Sequence, residues 1–141
     1  MTATRTVKCP VAASLELVGD RWTLLVIRDL LRGRTRFSEM RESILGITSS
    51  VLSGRLKRLE AEGVVDRRMY SNHPPRAEYF LTSKGHELGI VVGALARWGE
   101  RHAEHNLYLV DHECGHGVDV VYRCPTCERG APRSRIRMIE A

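Results

Sequence analysis

Three of the four cysteines in this 141-residue chain lie near its C-terminus, interleaved with histidines. Cys124 and Cys127 form a C-x-x-C pair, a spacing at which one tight turn directs two thiolates at the same metal ion. Cys114 together with His116, or with His112 in place of His116, completes a tetrahedral set of three cysteines and one histidine. The spacing predicts a structural zinc site, with a redox-active dithiol at Cys124 and Cys127 or plain surface cysteines as alternatives.

The size and charge of the chain restrict what else it can be. A length of 141 residues fits one domain with a short appendage, and it excludes large α/β barrels and two-domain dinucleotide enzymes. The net charge is +5, and residues 1–81 carry 14 Lys+Arg against 9 Asp+Glu, whereas the remainder carries 8 of each. This asymmetry favours a polyanionic partner for the first half, unless the basic residues merely form a solvated face.

The sequence shows no signal for secretion or membrane insertion. No apolar segment of the kind found in signal peptides follows residues 1–8, and the longest apolar run, residues 90–96, is far too short to span a bilayer. We therefore expect a cytoplasmic protein that does not bind membranes, with cysteines that are not structural disulfides.

Apolar periodicity and capping residues predict the order of the elements. Four helices are expected first, over residues 11–18, 21–32, 37–45 and 48–62, with Thr35 as the cap of the third. Two short strands over 64–70 and 78–81 follow and form a hairpin, with a turn over 71–76 because its prolines cannot continue a ladder. One long helix over 82–105 begins at Thr82, and short β-prone segments are expected over 107–110 and 118–122. This order predicts a mainly α fold with a small β-hairpin wing, a winged helix-turn-helix of the α+β class. Residues 9–105 would form the DNA-binding and dimerisation domain, and residues 106–141 a Cys/His-rich extension resembling a zinc ribbon.

The fourth predicted helix has the composition of a recognition helix. Thr48 is its expected cap, and an apolar stripe at Leu52, Leu56 and Leu59 would face the core. Small polar and basic residues on the other faces, Ser49, Ser50, Ser53 and Arg55, are the predicted base contacts. The predicted phosphate contacts are Arg36, Lys57, Arg58, Arg68 and Arg76.

The same residues resemble the HxlR-type transcriptional regulators. The similarity rests on a series of short motifs in the order and spacing of that family, at residues 9–10, 17–30, 36–40, 46–48, 52–60, 62–65 and 78–85. It covers about residues 9–102 and implies a dimeric winged helix-turn-helix regulator. The resemblance further implies that the dimer forms through the N-terminal helix and the long C-terminal helix.

Within this resemblance Cys9 becomes a candidate redox sensor, because several HxlR-type regulators sense oxidants or electrophiles with a cysteine at this place. Lys8 and the N-terminus of the helix that follows Pro10 would favour the reactive thiolate. The alternative is an inert, partly buried cysteine.

These features together predict a regulator of transcription that binds double-stranded DNA as a homodimer and responds to redox state or to a small ligand. The alternative is a thiol- or zinc-dependent enzyme built on the C-terminal Cys/His cluster. We expect no enzyme, because no Ser/His/Asp set, phosphate-binding glycine loop or catalytic acidic pair stands in the sequence. A third interpretation, a protein-binding adaptor without DNA, is disfavoured by the basic wing.

Overall fold

A computed structural model describes residues 8–140 and divides them into two compact units. The N-terminal unit comprises residues 8–92 and the C-terminal unit residues 93–140. The division falls inside a helix, whereas the sequence-based boundary lies between residues 105 and 106.

The N-terminal unit has the element order of a winged helix-turn-helix, as predicted. Its elements are α1 (Pro10–Val18), α2 (Thr23–Leu31), α3 (Phe37–Ser43), α4 (Ser49–Ala61), β1 (Val65–Asn72), β2 (Pro75–Leu81), α5 (Ser83–His86) and the start of α6 (Gly89–His102). β1 and β2 pair antiparallel, and Thr35–Arg36 adds to the edge of β2: Tyr79 N–H donates to Thr35 O at 2.8 Å and Arg36 bridges to Glu78.

The apolar stripe predicted for the fourth helix forms part of the core. Leu52, Leu56 and Leu59 of α4 are buried, and so are Val26 and Ile27 of α2. They pack with further buried apolar residues from α1, α2, α3, the turn between α3 and α4, and the start of the hairpin, namely Val18, Leu30, Met40, Ile44, Ile47, Val64 and Val65. Burial of this cluster fixes α4 against the other helices, since apolar burial is the main favourable term in folding.

Helix caps agree with the sequence in two places and differ in one. Thr48 caps α4 by accepting the Val51 N–H at 3.2 Å, and Thr82 caps α5 by accepting the Gly85 N–H at 3.1 Å. The expectation that Thr35 caps α3 is wrong. Arg36 occupies the cap position, and its N–H donates to Glu39 at 2.9 Å. Thr35 lies one residue before the cap position, and its carbonyl oxygen accepts a hydrogen bond from β2 instead.

The hairpin is longer than predicted. Residues 71–76 were expected to form the turn because prolines interrupt strand pairing, but Asn72 pairs with Pro75 and only His73 and Pro74 form the loop. Pro75 stands at the last position of the ladder, where its missing N–H costs no hydrogen bond. An irregularity between Met69 and Ser71 shifts the register near the tip.

The single long helix predicted over residues 82–105 is interrupted and shorter. α5 ends at His86, α6 begins at Gly89, and α6 ends at His102. Gly85 is buried, and a Cβ there would lie 2.2 Å from Val64 O, so α5 sits in close contact with the backbone just before β1. The two weak helix formers Gly85 and Gly89 flank the break.

The C-terminal unit contains the rest of α6, β3 (Tyr122–Arg123), β4 (Gly130–Ala131) and a 3-10 helix (Arg133–Arg135). Arg97 Nη2 pairs with Asp119 at 2.6 Å, and Arg97 also pairs with Glu100, whose Oε1 accepts the Leu109 N–H at 2.6 Å. Strands were expected over 107–110 and 118–122. Only a bridge between Val110 and Gly117 and the two-residue β3 form, and most side chains of these segments are exposed.

Candidate nucleic-acid interface

The α3–turn–α4 segment presents the polar N-terminal turn of α4 to solvent. The turn reverses direction at Gly46, where φ is +83°, and Ile47 anchors it in the core. Ser49 and Ser50 are exposed in the first turn of α4, and Ser53 one turn later is half-buried. The hydroxyl groups of these serines are able to donate and accept hydrogen bonds to base edges or phosphates.

Arg55, a predicted base contact, is held inside the N-terminal unit. Its Nε donates to Asp20 Oδ1 at 2.9 Å, and the side chains of both residues are about two-thirds or more buried. Asp20 also accepts hydrogen bonds from the Thr23 hydroxyl and from the Trp22 and Thr23 N–H groups. This network joins the start of α2 to the middle of α4 and so sets the position of the recognition helix.

The Asp20 carboxylate is strongly stabilised in its charged form. Burial raises its pKa, but the hydrogen bonds from the Thr23 hydroxyl, from Arg55 and from the two backbone N–H groups outweigh burial and lower the pKa to about 2. Asp20 is therefore ionised at neutral pH, and the Arg55 contact is a true ion pair.

The other basic residues of α4 differ in how free they are. Arg58 donates through Nη2 to the Glu16 carbonyl oxygen of α1, which fixes part of its guanidinium. Lys57 is exposed, and within residues 8–140 it forms no ion pair. Lys57 is thus the α4 cation with most freedom to meet a phosphate.

A groove of about 560 Å³ lies between the start of α3 and the hairpin, and three arginines line it: Arg36, Arg67 and Arg76. Arg36 packs over the Tyr70 ring at 4.7 Å and pairs with Glu78 at 3.3 Å. Arg76, near the hairpin tip, is exposed. The structure thus brings together two of the predicted phosphate contacts, which stand far apart in sequence.

Arg67 was not among the predicted contacts, whereas Arg68 beside it was. Alternation along β1 is the signal that separates them: Arg67 lines the groove, while Arg68 stacks over Phe80 at 4.6 Å. Arg67 is only loosely engaged with Glu60, at 3.9 Å between Nε and Oε1.

A buried ion cluster behind α3 had no signal in the sequence. Asp29 is fully buried and accepts from Arg28 Nε and Nη2 at 3.0 and 2.8 Å, with Arg34 Nη1 at 3.6 Å. Both arginines also reach Ser43 Oγ at the end of α3. The cluster ties α2, the loop after it and α3 together, so it supports the interface from within.

The cysteines and histidines of the predicted zinc site lie on two separate turns. His112, Cys114 and His116 belong to a turn closed by the Asp111 N–H on His116 O at 2.9 Å, while Cys124 and Cys127 belong to the β3–β4 turn. Among residues 8–140 no three His, Cys, Asp or Glu side chains converge as metal ligands. The zinc site stays a prediction from spacing alone. At the other end of the described chain, Cys9 is half-buried in the cap position of α1.

None of the helices formed by residues 8–140 has the length and apolar composition needed to cross a membrane.

Comparison with known proteins places the chain among transcriptional regulators. It is 38% identical over 121 residues to the uncharacterized HTH-type transcriptional regulator Mb3122 of Mycobacterium bovis, which covers 83% of this chain and 76% of that protein. The solved structure of PA1607, a candidate transcription factor, matches with a TM-score of 0.80 at 30% identity, covering 96% of this chain and 97% of the other. The redox regulator HypR in its oxidized form matches with a TM-score of 0.64 at 35% identity, covering 69% of this chain and all of HypR.

The sequence profile of the HxlR-like helix-turn-helix family matches residues 17–107, which span α2 to α6 and include every element of the interface described above. The fold and these relatives give no support to the alternative of a thiol- or zinc-dependent enzyme. The chain belongs to the HxlR-like helix-turn-helix family and is a DNA-binding transcriptional regulator.

Proposed function

We propose that the protein acts as a homodimer on a two-fold related operator, with the first turn of α4 reading bases in the major groove. The observation that carries this proposal is the exposed pair Ser49 and Ser50 on a helix whose other side is buried in the core. Ser53 lies on the same helix and is available to a base or a phosphate nearby.

Phosphate contacts come from cations that the protein does not neutralise itself. Lys57 and Arg76 are exposed and form no ion pair within the described part of the chain, whereas Arg36 shares its charge with Glu78. Arg58 and Arg68 retain exposed guanidinium groups, so they add to this surface. We include Arg67 with them because it lines the same groove as Arg36 and Arg76.

Arg55 has a different role in this proposal. Its Nε is engaged by Asp20, so it positions α4 instead of reading a base as the sequence suggested. A guanidinium held by a carboxylate loses that pair if it moves to DNA, which makes a base contact costly.

The homodimer is supported by apolar side chains left uncovered on two helices. In α1, Val11 and Leu15 are 49% and 56% exposed, and in α6, Ile90, Leu95 and Trp98 are 54–64% exposed. Helical faces of this kind are typical of subunit interfaces in soluble proteins. A two-fold dimer would present two α4 helices to two half-sites.

A redox response through Cys9 is part of the proposal. Cys9 is a free thiol at the N-terminus of α1, and the relative HypR is a redox regulator. Cys9 lies alone in the tryptic peptide 9–21, so mass spectrometry after peroxide treatment reads its state directly. An unmodified peptide would remove Cys9 from the response. We further propose that the protein is not an enzyme and that it acts in the cytoplasm, where it would meet its DNA.

The DNA contacts are tested by fluorescence anisotropy on a duplex from the region upstream of the coding sequence, titrated at several salt concentrations. We expect Lys57→Ala and Arg76→Ala to weaken binding to this duplex and to an unrelated one alike. Each should also reduce the slope of log K against log salt by about 0.9, since each removes one phosphate contact. Ser50→Ala should instead weaken the specific duplex selectively, by about 1–3 kcal/mol if it removes a base contact.

Arg137→Ala is the matched control, because Arg137 is an exposed arginine of the C-terminal unit. The Arg137→Ala variant should bind DNA with the same affinity and the same salt slope as the unmodified protein. If the salt slopes of Lys57→Ala and Arg76→Ala equal that of the unmodified protein, these two residues are not phosphate contacts. That result would leave the proposed dimer untouched.

A further inference from the structure

The turn between β3 and β4 holds two thiols within a closed hairpin. Tyr122 pairs with Ala131 and Arg123 with Gly130, and the Cys124 N–H donates to Arg129 O at 2.9 Å. Pro125, Thr126 and Cys127 form the turn itself, and Glu128 leaves it with a φ of +56°. Cys124 and Cys127 are thus fixed three positions apart on one tight turn.

The turn keeps the two thiols on one short segment of backbone. Cys124 directly precedes the turn and Cys127 is its last residue, and the pairing of β3 with β4 closes the segment on both sides. Two free thiols at C-x-x-C spacing on one closed turn are the arrangement needed for an intramolecular disulfide.

The surroundings of the pair are open and basic. Cys127 is exposed, Cys124 is half-buried, and both are free thiols. Arg123 and Arg129 flank the turn, and Arg123 Nη2 lies 3.5 Å from Glu128 Oε1. Within residues 8–140 no third His, Cys, Asp or Glu side chain converges on the pair.

We propose that Cys124 and Cys127 are a reversible dithiol switch, which peroxides oxidise to an intramolecular disulfide. The Cys124 thiolate attacks a peroxide oxygen, the O–O bond breaks, and Cys124 becomes a sulfenic acid as water leaves after protonation. The Cys127 thiol then attacks the Cys124 sulfur, the S–S bond forms and a second water leaves. Two thiols and one hydrogen peroxide give one disulfide and two waters, and a dithiol reductant reverses the change by exchange.

This cysteine pair belongs to the C-terminal unit, whereas the DNA interface and Cys9 belong to the N-terminal unit. The pair lies beyond residue 107, where the family match ends, so the switch goes beyond the proposed function. Its test does not depend on DNA binding, and failure of either proposal is visible without the other.

The sequence allows a direct test by peptide mapping on the full chain. Trypsin releases residues 124–129 as one peptide that contains both cysteines, whereas Cys9 and Cys114 fall in other peptides. After treatment with hydrogen peroxide and then iodoacetamide, we expect this peptide to lose about 2 Da and to resist alkylation. Dithiothreitol should restore two alkylation sites. Cys127→Ser should abolish the mass loss and leave a sulfenic acid at Cys124, which dimedone traps, while Cys114→Ser should leave the mass loss unchanged.

Two results would overturn the proposal. The first is a peptide 124–129 that remains fully alkylated after peroxide treatment of the metal-free protein. The second is about one zinc per chain in protein purified without chelators, lost in Cys127→Ser, with both thiols protected from peroxide until a chelator is added. That second result would assign the pair to the zinc site predicted from spacing.

Discussion

Five arginines between residues 28 and 58 donate to acceptors of the protein itself. Arg28 and Arg34 surround the buried Asp29, Arg36 pairs with Glu78, Arg55 pairs with Asp20, and Arg58 reaches a carbonyl of α1. In this stretch 8 basic residues face 3 acidic ones. The positive charge available to DNA in this stretch is therefore smaller than the composition suggests, and the free cations of the wing gain in importance.

Asp20 provides a prediction with a defined pH dependence. Its pKa is about 2 in the folded protein against an ordinary value of 3.8, so the stabilisation it contributes is complete above pH 4–5. The contribution is lost as the pH falls from about 4 to 2. We expect Asp20→Asn to lower the free energy of unfolding by about 1–2 kcal/mol at pH 7, a value reduced for the partial exposure of the pair.

Urea unfolding at pH 7, 5, 4 and 3 checks this expectation. The gap between Asp20→Asn and the unmodified protein should narrow at acidic pH. Asp66→Asn is the control, since Asp66 is exposed on β1 and has no ion pair among residues 8–140. A gap that stays constant down to pH 3 would mean that the Asp20 charge contributes nothing to stability.

At the scale of elements, α4 combines a buried side and an exposed one within 13 residues. Its start is set by the Thr48 cap and its end by Gly63, whose N–H donates to Glu60 O at 3.1 Å. Both ends are encoded locally, and the core then fixes the rotation of the helix through Leu52, Leu56 and Leu59. A recognition helix needs a well-defined rotation and start, because residues of its N-terminal turn contact the base edges of DNA.

Gly54, inside α4, and Gly63, just after its end, should change the stability of the protein in opposite directions when each is replaced by alanine. A Cβ at either Gly54 or Gly63 meets nothing within 4 Å, so sterics with neighbours do not distinguish them. Gly54 is inside the helix, and Gly54→Ala should stabilise the protein by about 0.5–1 kcal/mol. Gly63 has a φ of +70°, and Gly63→Ala should destabilise it by about 1–2 kcal/mol.

Each variant serves as the control for the other in thermal or urea unfolding. Equal signs for the two substitutions would show that backbone conformation does not govern the end of α4.

At the scale of the whole molecule, α6 exposes large apolar side chains to solvent, among them those of Ile90, Leu95 and Trp98. Ile90 is 64% exposed, so replacing it with a charged residue should change the folded subunit little. If α6 forms the dimer interface, Ile90→Glu buries a charge there. We expect this variant to sediment as a monomer of 15.9 kDa under conditions in which the unmodified protein is a dimer.

Leu45→Glu is the matched control, because Leu45 is 90% exposed but lies in the turn before α4. It should remain dimeric in sedimentation velocity. Dissociation by Leu45→Glu with an intact Ile90→Glu dimer would move the interface away from α6.

The sequence by itself determined the parts of this protein that depend on near neighbours. The stripe of Leu52, Leu56 and Leu59, the Thr48 and Thr82 caps and the hairpin after α4 follow from residue type and spacing over a few positions. Family membership follows from the same local motifs, which the family match over residues 17–107 confirms.

The tertiary structure alone decided which side chains are free to act. Asp20 and Arg55 are 35 positions apart, and Arg36 and Glu78 are 42 apart, so no periodicity predicts their pairing. The same holds for the groove that unites Arg36 with Arg67 and Arg76, and for the separate turns that hold the C-terminal cysteines. Charge pairing depends on distance in space, which only the packing of the core and the closure of the turns establish.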